Sequence, residues 1–238
     1  MKKITLIIAI ICTFFICEAQ INDNATWDYP VKPGMPEWKE FQLTTEMVKA
    51  YQIPEDVLSS LSTNDLTETC LQYPLFINVY AFNSLSDGIE NLNSEFNGIR
   101  ELYSRKDAAI GLIKHYNEKV QSFSFLDKAN SEAAKGIFMI SVTNLEILLS
   151  QIVQHDYESR KEILKCLVNG YEEKLNYKNY FGYGFLTNCF SRAKVIEKMD
   201  KAFINKLPGK ELNPVISSGI VDDKTFNIIN ELSYELIK

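Results

Sequence analysis

Histidine is almost missing from this chain: among 238 residues there are only His115 and His155. A zinc site needs about three close ligands, and only His155, Asp156 and Glu158 stand near one another. That trio also suits a solvated helix end, where a histidine favours the negative pole of the dipole. His115 is expected on the exposed side of its helix. No metal ligand set and no cofactor are therefore assigned. The sequence also lacks G-x-S-x-G, H-E-x-x-H, phosphate-loop and dinucleotide-binding glycine patterns, so no motif specifies a reaction. Long Lys/Arg runs are absent and the net charge is −6, which disfavours nucleic acid and anionic membrane surfaces as partners. Strand signals are few. Residues 213–221 could be extended, but nothing nearby reads as a pairing partner.

Cysteine is scarce as well, at five residues, and two of them, Cys12 and Cys17, belong to an N-terminal leader. Cys70, Cys166 and Cys189 remain, an odd number that allows at most one disulfide. Cys166–Cys189 is the first candidate pair. The alternative is three buried thiols packing as small hydrophobes. Each lies on a helical apolar stripe and none follows a glycine-rich turn, which argues against a Cys–His nucleophile pair.

The most specific feature present is the leader. Lys2 and Lys3 precede fourteen uncharged, mostly apolar residues at 4–17, and Cys17-Glu18-Ala19 ends in a small residue. This is the anatomy of a secretory signal peptide cleaved after Ala19, and the apolar run is too short to span a bilayer comfortably. Lipid attachment at Cys17 is the rival reading; Phe14, Phe15 and Ile16 before it are too bulky for that pathway. The exported chain would begin at Gln20, carry a net charge of about −7, and lie in the periplasm or outside the cell.

Residues 20–36 hold Pro30, Pro33, Gly34 and Pro36 among Trp27, Tyr29 and Val31. Prolines at this density exclude helix and favour an extended strap anchored by its aromatics. Residues 37–238 read as a single all-α domain. Short helices are punctuated by Thr44 or Thr45, Pro54, Ser62 or Thr63, and Pro74. Ile89, Leu92, Phe96, Ile99 and Tyr103 then mark one helix by their 3-4-3-4 spacing. Asp107 is a cap for the next, residues 121–130 form a loop, and a helix over about 131–154 is apolar nearly all round. Asn144, Glu146 and Gln151 argue that this helix is a buried core element and not a membrane span. Further stripes run through Ile163–Leu175 and Leu186–Phe203, and Asp222 or Asp223 caps a last helix. Pairing of the longer helices at about fifty-residue spacing fits helical hairpins stacked as a short solenoid; an irregular bundle fits equally well.

One segment invites a binding role. Tyr177, Tyr180, Phe181, Tyr183 and Phe185 surround Gly182 and Gly184 at a break between helices. Aromatics on a glycine-loosened turn can offer ring faces to a sugar or a partner's side chains, which makes Tyr180, Phe181, Tyr183 and Phe185 the candidate ligand-binding residues. The alternative is that the glycines end one helix and the rings plug the gap between neighbours.

The Tyr-Pro-Val-x-Pro-Gly-x-x-Glu-Trp sequence at 29–38, with residues 52–54 and 66–74, resembles a group of secreted helical proteins of gut Bacteroidetes-type bacteria. The resemblance covers roughly residues 28 to 120. It implies export from a bacterium and a helical body, and it carries over no catalytic residue. The expectation is an exported helical binding or interaction module with an unknown protein or glycan ligand. The alternative is a polymer-processing hydrolase, whose mark would be two carboxylates about 5 to 9 Å apart across a cleft.

Overall fold

Twenty consecutive residues around Glu146 form the helix on which the rest of the molecule is assembled. The computed structural model describes residues 26–152, 156–182, 184–200 and 221–238. The leader, His155, Tyr183 and most of the 213–221 stretch lie outside the described residues. Eleven α-helices are described: α1 Thr44–Ala50, α2 Glu55–Ser60, α3 Thr63–Leu71, α4 Leu85–Glu95, α5 Asn97–Ser104, α6 Ala108–Gln121, α7 Phe125–Lys128, α8 Glu132–Gln151, α9 Tyr157–Asn176, α10 Gly184–Met199 and α11 Asp223–Leu236. Short 3-10 segments occupy Pro36–Glu40 and Phe76–Ala81. There is no strand among the described residues. The all-α expectation holds.

The arrangement is a bundle. Helices α8 and α9 follow one another in sequence but stand diagonally, because each packs against α6 and α10 instead. Helix α11 closes the outer side against α9 and α10, and α3 leans on α5, α6 and α8. A solenoid would stack consecutive hairpins only on their neighbours, and the α6–α9 contact breaks that rule.

Caps fix several boundaries where polar side chains anticipate them. Ser62 accepts from the Asp65 amide at 3.1 Å and opens α3, and Asp222 accepts from the Thr225 amide at 2.7 Å and opens α11. Such caps satisfy amides that the first turn leaves without partners. Asp107 precedes α6 but caps nothing; its Oδ1 accepts from the Thr63 hydroxyl at 2.8 Å and ties α3 to α6.

The part of this segment that is described, from Thr26 on, is held to the helices by its aromatics. Tyr29 is buried and its hydroxyl donates to the Thr69 carbonyl at 2.9 Å, while the Trp27 amide donates to Thr69 Oγ1 at 3.1 Å. Tyr29 meets Tyr51, Tyr73 and Phe96 in a ring cluster, and Tyr73 stacks on Phe96 with centroids 4.0 Å apart.

Besides the missing Asp107 cap, three expectations need correction. The Ile89–Tyr103 stripe is carried by two helices, α4 and α5, because Phe96 is extended at φ −109° and ψ 118°. The break is held from outside: the Asn97 side chain accepts from the Ile53 amide and donates to the Ile53 carbonyl, at 3.0 and 2.8 Å. Burial of Phe96 in the ring cluster then replaces the helical turn. Within the stretch read as a loop, Phe123 and Leu126 are buried and the one-turn helix α7 forms. His115 is buried, not exposed, because α3 lies across that side of α6.

Among the described residues α8 has the length and apolarity of a membrane span. Its carboxylate Glu146 is nevertheless fully buried among neighbouring helices, which marks it as a core helix.

Candidate functional site

The four bundle helices each contribute one polar side chain to a common point. Glu146 of α8 receives the Lys174 ammonium of α9 on both oxygens, at 2.6 and 2.7 Å. The Tyr116 hydroxyl of α6 donates to Glu146 Oε1 at 2.5 Å, and Asn188 Nδ2 of α10 donates to the same oxygen at 2.8 Å. Lys174 spends its remaining proton on the Gly184 carbonyl at 3.0 Å. Glu146 and Lys174 have no solvent exposure. Gly170 makes room for this crossing, since a Cβ there would stand 1.9 Å from the Tyr116 oxygen. Burial draws the Lys174 ammonium below its ordinary value, opposed by Glu146. Burial first, then the Glu146 charge, pushes the Tyr116 phenol well up.

This network has no open face for a substrate, and every charge in it is partnered. Its effect is to lock the C-terminal half of α8, where residues from Val142 to Ser150 are buried apart from Thr143. The N-terminal half projects beyond that anchor. There Ile137 is 70% exposed and Ile140 41% exposed, an unusual fate for isoleucines on a long helix.

Two grooves flank the projecting half. The first, about 460 Å³, is walled by Ile77, Tyr80, Phe82, Leu85, Ile140 and Leu186 and touches no charged residue. Tyr80 is positioned there by donating to Asn144 Oδ1 at 3.0 Å. The second, about 770 Å³, runs between the strap, α3 and α8, with Leu71, Pro74, Phe125, Ile137 and Phe138 as apolar walls. Both volumes lie in the range of small-molecule sites.

A third cleft of about 560 Å³ adjoins the second, sharing Glu68, Gln72 and Lys119 with it. This one is polar. His115 sits at its base, with Nε2 3.2 Å from the Asn64 carbonyl and Nδ1 3.8 Å from Glu68. Its carboxylates are engaged locally: Glu118 faces Lys114 at 4.0 Å, and Asp65 accepts from the Ser62 hydroxyl at 2.5 Å. No group of three His, Cys, Asp or Glu side chains among the described residues is placed to hold a metal.

The aromatic turn is divided between interior and rim. Phe181 is buried, with its ring 4.8 Å from Phe123 and the Lys174 ammonium 5.1 Å from its centroid. Phe185 packs edge-on against Tyr171 at 6.0 Å. Tyr180 is half-buried, donates to Asp127 at 3.1 Å and has the Lys135 ammonium over its ring. Tyr183 lies outside the described residues. The described rings thus face neighbouring side chains and do not converge on a shared ligand space.

Cys70, Cys166 and Cys189 are free and buried. Burial pushes the Cys166 and Cys189 thiols up to about 12 and Cys70 higher still, which disfavours the reactive thiolate.

Sequence reading missed both the four-helix network and the exposed half of α8. Glu146 inside an apolar helix was the one visible hint, but its partners lie 28 to 42 residues away. No protein family, curated protein or solved structure matches the chain.

Proposed function

We propose that this chain is an exported helical binding module and that its working surface is the projecting half of α8 with the grooves beside it. The observation that carries the reading is the exposure of Ile77, Tyr80, Phe82, Phe125, Ile137 and Ile140 around those grooves. A large exposed apolar patch with polar neighbours is the usual mark of an interaction site. The polar network supports the assignment because it fixes the helix rigidly from behind, and a preordered surface loses less entropy on binding. Export rests on the leader sequence, with its basic start, apolar run and Ala19.

The 20–238 chain, applied to glycan and peptide arrays, is expected to show saturable binding. Ile137→Glu combined with Ile140→Glu should abolish that binding with only a small drop in melting temperature, since Ile137 is 70% and Ile140 41% exposed. Retention of binding by this double variant would assign the surface elsewhere. A hydrolytic reading keeps one supporting observation, the presence of Asp65, Glu68, Glu118 and His115 around one cleft. Its test is product release from polymer substrates that is lost in Glu68→Gln. The binding reading is preferred because each of those carboxylates already has a local partner.

A further inference from the structure

The second groove and the polar cleft adjoin along Glu68, Gln72 and Lys119 and make up a depression with two chemical halves. On the groove side the walls are aliphatic and aromatic: Leu71, Phe125, Ile137 and Phe138. Beyond the shared residues the walls carry hydroxyls, amides and charges of both signs. At the junction stands Lys119, half-buried, its ammonium 5.6 Å above the Phe138 ring. Of the other lysines lining it, Lys32 pairs with Asp28 and Lys114 faces Glu118 at 4.0 Å, while Glu68 faces His115 at 3.8 Å and Asp65 accepts from the Ser62 hydroxyl. Lys119 has no carboxylate within 4 Å among the described residues.

A lone ammonium where an oily trough meets a polar one sets what the trough accepts. The apolar walls favour a hydrocarbon, at about 0.8 kcal/mol per buried methylene. Apart from Tyr29, Lys32, Pro33 and Pro74 the lining is mostly helical, with backbone amides taken up internally, so an extended peptide would find few partners for its own amides. Lys119 is the one lysine lining the depression with no carboxylate partner among the described residues, and it offers a place for one negative charge at the end of the hydrocarbon. Charge-assisted bonds of that kind are among the stronger ones available.

We propose that the depression binds a single-chain anionic amphiphile, with its acyl tail along α8 between Phe125, Ile137 and Phe138 and its carboxylate or phosphate at Lys119. This rests on the reading of the α8 surface as a binding face, and it names the ligand class for one of the two grooves. The protein's overall negative charge repels an anionic membrane surface, so the proposed ligand is a dispersed molecule held singly.

The experiment is calorimetric titration of the 20–238 chain with dodecanoate, dodecyl phosphate and dodecyltrimethylammonium, each below its micelle concentration. Both anions are expected to bind one per chain and the cation not to bind. Their relative affinities tell a carboxylate site from a phosphate site. Ile137→Glu should abolish binding. Lys119→Gln should weaken it about tenfold, the scale of one charge-assisted bond of about 1.4 kcal/mol. Equal binding of cation and anions, or no loss in Lys119→Gln, overturns the proposal. If no amphiphile binds while the arrays still show binding that Ile137→Glu/Ile140→Glu removes, the ligand class falls and the binding face stands. If neither assay shows binding, both fall.

Discussion

Replacing Lys174 by methionine should be among the most destabilising single changes in the bundle interior. Methionine matches the length of the lysine stem and fills the same space, so cavity effects are small. What is lost is the partner of a fully buried carboxylate. Glu146 would retain only the Tyr116 hydroxyl and Asn188 amide, both on one oxygen, and Oε2 would have no donor. Removing one member of a buried ion pair typically costs about 3–5 kcal/mol, against a total stability of about 5–15 kcal/mol for a domain. The measurement is urea unfolding followed by far-ultraviolet circular dichroism, at constant slope. Adding Glu146→Gln should recover about 2 kcal/mol of that loss, because the amide keeps an acceptor for Tyr116 and Asn188 and removes the stranded charge. A loss below about 1 kcal/mol in Lys174→Met, or simple additivity in the double variant, would refute the reasoning.

Other perturbations follow from the same packing. Stability should be flat between about pH 7 and 8 and fall above about pH 9. The Cys166 and Cys189 thiols stay protonated up to about 12 in the fold, and Tyr73, Tyr80, Tyr103 and Tyr116 are pushed up by burial. The unfolded chain releases those protons from its ordinary thiol and phenol values, near 9 and 10. Lys174 and Lys194, drawn down by burial, act in the opposite sense as pH nears 10.5, but they are outnumbered. Urea midpoints that rise between pH 8 and 11 would contradict this. Phe181→Ala should cost about 3–5 kcal/mol in the same unfolding assay, and Tyr180→Ala less than about 1 kcal/mol; the reverse order would place the Tyr180 ring in the core. Gly170→Ala should destabilise by about 1–3 kcal/mol despite alanine's better helix propensity, because its methyl collides with the Tyr116 oxygen.

Local chemistry made much of the fold legible. Ser62 and Asp222 announced helix starts that the structure confirms, because a cap needs only a polar side chain and the three residues after it. The burial of Cys70, Cys166 and Cys189 followed from their positions on apolar stripes. Phe96 shows where such reasoning ends. Its spacing fits a continuous helix, and the break depends on Asn97 reaching Ile53, 44 residues earlier in the chain. His115 was misplaced for the same reason, since its burial comes from α3 and not from its own helix. The candidate surface was the least legible part. Ile137 and Ile140 read as core residues by type, and only the diagonal packing of α8 and α9 shows that α6 and α10 cover one half of α8 and leave the other outside.

The most direct test is methyl nuclear magnetic resonance on the 20–238 chain with labelled isoleucine δ1 groups, titrated with dodecanoate. The Ile137 methyl is expected to shift with saturation, while the buried methyls of Ile99, Ile163 and Ile196 stay in place. Shifts spread evenly through those interior isoleucines, or an unmoved Ile137 alongside saturable binding, would contradict the assignment of α8 as the binding face.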